Sequence, residues 1–175
     1  MIAEYTSPRK TLYGIGIALG AIGGFANVLL GVDTSLAALR PVWLFASLAA
    51  VVVFHEGTHG AVAALLGHRP VFGSRPPLVY VTFKEKMSRA HFIAIAVVPL
   101  VILDLLFVLL FFYGGGGLRL YYDLCLVMNT IGSLGDVWVV LTLVRTPKGI
   151  LIQDTRTGIQ VWDRTDATGG RHGNQ

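Results

Sequence analysis

The sequence predicts an all-α integral membrane protein with four transmembrane helices, a short cytoplasmic strand segment and a C-terminal β-hairpin. Three observations predict it. Of the 175 residues, 54% are hydrophobic and 14% charged, with a mean hydropathy of +0.66, whereas soluble domains carry about 25% charged residues. The apolar residues gather into four stretches, each long enough for the roughly 20 residues that cross the hydrocarbon of a bilayer. Lysine and arginine fall between those stretches in alternating numbers.

The first span is expected at residues 12–32. Its apolar run exceeds the roughly 7–15 residues of a signal-peptide core and three more spans follow, so it reads as a retained helix. Gly16, Gly20 and Gly24 recur every four residues along it, a spacing that lets two helices approach closely in lipid. The remaining spans are expected at residues 42–66, 92–113 and 118–144. Basic residues number 2, 1, 5, 1 and 5 through the N-terminal segment, the three connections and the tail. By the positive-inside rule both termini and the second connection are cytoplasmic, and the cell membrane is the expected location.

Two short segments read as strands. Residues 78–83 (LVYVTF) follow Pro76 and Pro77 and are rich in β-branched and aromatic side chains. In the tail, Ile150-Leu151-Ile152 and Ile159-Gln160-Val161-Trp162 flank Asp154-Thr155-Arg156-Thr157-Gly158, the pattern of a hairpin over 149–162. Residues 164–175 are polar and glycine-rich, a composition expected to be disordered. The chain thus reads as one polytopic domain over 1–163. Its net charge of +4 does not imply nucleic acid, because the basic residues form no stripe interleaved with aromatics. Cys125 is the lone cysteine and lies in an apolar run, which excludes an intrachain disulfide and a thiolate zinc site and makes it a small core residue.

The second span contains His55-Glu56-Gly57-Thr58-His59, the H-E-x-x-H pattern. Residues four apart share a helix face, so both imidazoles can reach one ion. Glu56 lies one position round the helix, placed to take a proton from water and pass it to a leaving amine. Gly57 and Gly60 leave room for a neighbouring helix or an extended substrate. Such polar residues inside a membrane span are expensive unless paired or coordinated. Catalytic zinc usually has three protein ligands and water, and two aspartates in spans can supply the third, Asp136 and Asp104. Asp136 is favoured, since Asn129 accompanies it whereas Asp104 stands alone in an apolar run; depth agrees, because its span runs in the same direction as the one carrying the histidines. Asn129 lies two turns before Asp136, hence on the same face; one of the pair can bind metal while the other donates to an oxyanion or holds substrate backbone. Asp104 then reads as a packing hydrogen bonder or as a group that orients a ligand imidazole. His68 and His172 read as surface residues, and His91 as an interfacial one. Other readings of the same residues are a hydrogen-bonded cluster that glues helices, a non-catalytic zinc- or haem-binding membrane scaffold, and a small proton-coupled transporter. Haem leaves Glu56 without a task.

His55-Glu56-Gly57-Thr58-His59-Gly60 on one span, with Asn129 and Asp136 on a later one, resembles the site-2 protease clan of intramembrane zinc metalloproteases. Within it the chain looks most like the short zincin peptidases. The resemblance covers roughly His55 to Trp162 and implies a Zn2+ ion on His55, His59 and Asp136, Glu56 as base and Asn129 assisting substrate. It further implies hydrolysis of a membrane-associated peptide or protein in the cytoplasmic half of the bilayer, with 78–83 receiving an extended substrate by edge pairing. Two features depart from the clan: Val137 follows Asp136, and no proline lies between Asn129 and Asp136.

Overall fold

The computed structural model describes residues 1–32, 40–75, 78–155 and 157–163. The expected disorder of 164–175, together with His172, Pro76, Pro77 and Arg156, lies outside the described residues. The order is β1 (Ala3–Thr6), α1 (Arg9–Leu29), α2 (Pro41–Leu65), β2 (Val71–Arg75), β3 (Leu78–Thr82), β4 (Met87–Ser88), α3 (Arg89–Tyr113), α4 (Arg119–Gly132), α5 (Leu134–Val144), β5 (Ile150–Thr155) and β6 (Gly158–Asp163). Among the described residues, four stretches of helix are long and apolar enough to cross a membrane: α1, α2, α3 and the α4–α5 run. Large apolar side chains stand exposed along them, including Ile17, Phe45, Phe54, Ile102 and Leu105.

The helix limits follow local chemistry. Pro41 opens α2 at a position where a missing N–H costs nothing. At its other end Gly67 takes φ +82, and the Gly67 and His68 amides bond back to Ala64 and Ala63. That is a Schellman closure, and it stops the helix two turns after His59. Ser88 caps α3, its hydroxyl accepting from the His91 amide. The helices begin up to three residues before the expected spans because the backbone stays helical through polar residues such as Arg9 and Lys10. Residues 118–144 were expected as one helix and are two. The two helices meet at Ser133, where ψ opens to -3 although its amide still bonds to Asn129 and its carbonyl still accepts from Val137; the Ser133 hydroxyl also turns back to the Asn129 carbonyl, a contact that bends helices.

Strands are more extensive than the sequence suggests. The expected hairpin, β5–β6, is the middle of a four-stranded sheet ordered β1-β6-β5-β4, while β3 pairs with β2 in a separate hairpin. Three strands escape sequence reading for plain reasons: β1 has only four residues and no apolar run, β2 holds an internal glycine and β4 has two residues. Pairing of β1, β4 and β6 through β5 ties the N-terminus, the α2–α3 connection and the tail together at one end of the helices. Below the sheet, Met87, Phe92, Ile95, Leu143, Ile152 and Ile159 form one buried cluster; Cys125 lies in a second, with Val51, Leu103 and Phe107.

On α1, Gly16, Gly20 and Gly23 meet α4, whereas the expected third contact, Gly24, has open space beside it. The offsets 4 and 7 keep a helix face; an offset of 8 turns away from it. In the sheet, a Cβ on Gly158 would lie 1.9 Å from the Tyr5 carbonyl oxygen. Gly158→Ala therefore has to push β1 off β6, with a cost of about 1–3 kcal/mol as for other overpacked sites. Hydrogen exchange at the Ala3–Thr6 amides checks this: exchange rises toward that of a free segment in the variant, and unchanged protection would contradict it.

Candidate metal centre

His55 and His59 stand one turn apart on α2, both buried, and Asp136 lies in the first turn of α5. The two Nε2 atoms are 3.1 Å apart. Asp136 Oδ2 lies 3.3 Å from one and 3.4 Å from the other. The break at Ser133 precedes Asp136 by three residues and sets the turn of helix that carries it.

The remaining ring nitrogens show what this cluster fits. His59 Nδ1 is 2.8 Å from the carbonyl oxygen of Ile95, which can only accept, so that nitrogen carries the hydrogen. His55 Nδ1 is 2.9 Å from Asn129 Oδ1, again an acceptor. Neutral imidazole has one hydrogen, so both Nε2 atoms are bare lone pairs. Two lone pairs and a carboxylate oxygen then face one another with no donor between them. Three acceptors in such proximity repel one another unless a cation is shared, and two imidazoles with one carboxylate are a zinc donor set that leaves a position open. Among the described residues, these three are placed to hold a metal ion.

The match to known proteins agrees. The family described as "Putative zincin peptidase" matches residues 48–151, more than half of the chain. This chain belongs to that family. The matched region spans both histidines, Glu56, Asn129 and Asp136. A Pyrococcus woesei protein described as "Uncharacterized 24.7 kDa protein in gap 5'region" is 25% identical over 148 residues, covering 81% of this chain and 65% of its own length. The chain thus spans somewhat less than two thirds of that relative. No solved structure matches.

Around the zincin donor set, Glu56 is half-buried and its Oε2 accepts from the Val81 amide of β3 at 2.7 Å. Gly60 lets this hairpin approach, since a Cβ there would lie 2.3 Å from the Phe72 ring of β2; Gly57 has no such neighbour. A cavity of about 210 Å³ is lined by His55, Glu56, His59, Val81, Asp136 and Asp154. A larger one of about 940 Å³ is lined by Arg9, Tyr13, Gly16 and Gly20 of α1 and also by His55 and Glu56, which gives an apolar route to the site.

Asn129 is 1% exposed, and its amide is fully engaged: Oδ1 with His55, Nδ2 with Asp104. Its polar atoms thus engage the His55 ring and the Asp104 carboxylate. Asp104 sits behind Asn129, outside the donor set. His68, read from sequence as a surface residue, and His91, read as an interfacial one, lie together: His68 Nε2 is 2.8 Å from His91 Nδ1, and its Nδ1 is 3.3 Å from Glu85.

Two participants were missed. The Ile95 acceptor is a backbone group with no residue-type signature, although Pro99 four positions later signals it. Asp154 read as a turn residue, yet β5 carries it to the cavity, where the Thr82 hydroxyl donates to it at 2.6 Å. Burial pushes the Asp154 carboxyl above its usual range, against hydrogen bonds from Thr82 and from the Phe83 and Thr155 amides. A carboxyl raised in the folded state favours folding at low pH. That advantage is lost as pH climbs from the unfolded value of about 3.9 through the folded one. The melting-temperature difference between wild type and Asp154→Asn is therefore expected to move against wild type from about pH 4 to pH 7; a pH-independent difference would contradict this.

Proposed function

We propose that the protein is an integral membrane zinc endopeptidase that cuts a membrane-associated peptide or protein in the cytoplasmic half of the bilayer. What carries this reading is the convergence of His55 Nε2, His59 Nε2 and Asp136 Oδ2 beside Glu56 and the edge of β3. Membrane insertion is supported by the exposed apolar side chains of the four long helices, which suit lipid and not water. The orientation is supported by the basic residues of the N-terminus, second connection and tail, the three segments that one sheet ties together.

Zinc bound there supplies a Lewis acid and lowers the pKa of a water toward 7. The other tasks fall to the chain. Glu56 takes a proton from the attacking water and returns it to the leaving amine. Because the Val81 amide points to Glu56 and away from β2, the site-facing edge of β3 has no strand partner among the described residues and suits an extended substrate. Substrate pairing at that edge takes over the Val81 donor and releases Glu56 for proton transfer. The apolar walls of the larger cavity keep bulk water from the centre. Asn129 serves by holding His55.

The experiment is Glu56→Gln, assayed with quenched-fluorescent apolar peptides in detergent and with elemental analysis. Zinc content stays at the wild-type level while turnover falls by about 10²–10⁴, the range for losing a general base. Undiminished turnover in the Gln variant would overturn the role of Glu56.

A further inference from the structure

Helix α3 contributes no donor atom to the centre, yet His59 leans on it directly and His55 through Asn129 of α4. We propose that Pro99 and Asp104 are positioning residues that fix the tautomers of His59 and His55, so that α3 presets the two Nε2 lone pairs; the proposal rests on the zinc reading above.

The His59 arm begins with a missing hydrogen. In an α-helix the carbonyl of residue 95 accepts from the amide of residue 99. Residue 99 is proline and has no N–H. The Ile95 carbonyl is thus without its helical donor, in a residue 2% exposed, and a buried backbone acceptor needs a partner. His59 Nδ1 supplies it at 2.8 Å. The proline therefore creates an acceptor that admits only the Nδ1–H form of His59.

The His55 arm turns on an amide that can face either way. If Asn129 presented its NH2 to His55, the ring hydrogen would sit on Nε2 and block ligation. The far side of the amide decides. Asn129 Nδ2 lies 2.8 Å from Asp104 Oδ1 and 3.4 Å from the Pro99 carbonyl, both acceptors. Thr130 Oγ1 is 2.8 Å from Asp104 Oδ2 and 2.9 Å from the Leu126 carbonyl. It has one hydrogen to give, and Asp104 Oδ1 stays an acceptor whichever way that hydrogen points. Asn129 Oδ1 is thereby turned to His55, which donates from Nδ1. This gives a purpose to a carboxyl in the middle of an apolar helix, where such groups are costly.

The test is the zinc Kd of the purified full chain by chelator competition, with the melting temperature of the metal-free protein measured alongside. Pro99→Ala restores an amide that competes for the Ile95 carbonyl. Zinc binding weakens about tenfold, as for other groups that orient ligands, while the metal-free protein melts no lower, since alanine suits a helix interior better than proline. Asn129→Asp alone sets two carboxyls face to face and weakens zinc by about 10–100-fold. Adding Asp104→Asn gives the new carboxylate a donor and recovers most of the loss, which a merely structural role does not predict. Wild-type affinity in Pro99→Ala, or a double variant no better than Asn129→Asp, would overturn the assignment; the exchange pair decides if Pro99→Ala does not fold. A wild type that takes up no zinc defeats the metal reading itself, whereas wild-type binding with unmoved variants defeats only this assignment.

Discussion

A lone pair buried away from water must find a partner, and three of them face one another at the centre of these helices. His55 Nε2, His59 Nε2 and Asp136 Oδ2 lie within 4.8 Å of each other, and the hydrogens that could separate them are held elsewhere by Asn129 and the Ile95 carbonyl. Such an arrangement is stable around a shared cation, a metal ion or a proton. The family to which the chain belongs carries zinc peptidase in its description, and the donor atoms suit that metal. Asn129, Asp104 and Thr130 can be traced outward from this cluster.

The scaffold serves it at three points. The interruption at Ser133 separates the part of the fourth long helical stretch that holds His55 from the part that supplies Asp136. The Schellman closure at Gly67 ends α2 soon enough for the β2–β3 hairpin to fold back over Gly60 and reach Glu56. The sheet then holds that hairpin from outside, as Thr82 binds Asp154 and the Gln153 side chain donates to the Lys84 carbonyl at 3.0 Å. Arg89, at the start of α3, donates to the Thr146 carbonyl just beyond α5, linking the helix that orients the histidines to the one that carries the aspartate.

Much of this was legible in the sequence because hydropathy and spacing act locally. The four long helical stretches follow from runs of apolar residues, and the histidine pair from a four-residue interval on one of them. The preference for Asp136 over Asp104 came from Asn129 on the same helix face and from depth, and the structure sets Asp136 beside the two imidazoles in a group that could hold a metal ion. What was not legible depends on groups that residue type does not report. The acceptor for His59 is a main-chain carbonyl, visible only as the absence of a hydrogen at Pro99. The facing of the Asn129 amide is decided by Asp104 across a helix interface. Asp154 is local to a turn in sequence and reaches the cavity only through sheet pairing. β1 and β4 gain their strand character from partners far along the chain, which no local pattern encodes.

The central claim is that His55, His59 and Asp136 together hold one zinc ion. Elemental analysis of the purified, detergent-solubilised chain tests it most directly, with Asp136→Ala and Asp104→Ala measured in parallel after dialysis against the same zinc buffer. The account predicts about one zinc per chain in wild type, near-complete loss in Asp136→Ala, and a weakened but present site in Asp104→Ala. Full zinc retention in Asp136→Ala would contradict it, because the aspartate would then be no ligand and the convergence of the three acceptors would need another cause.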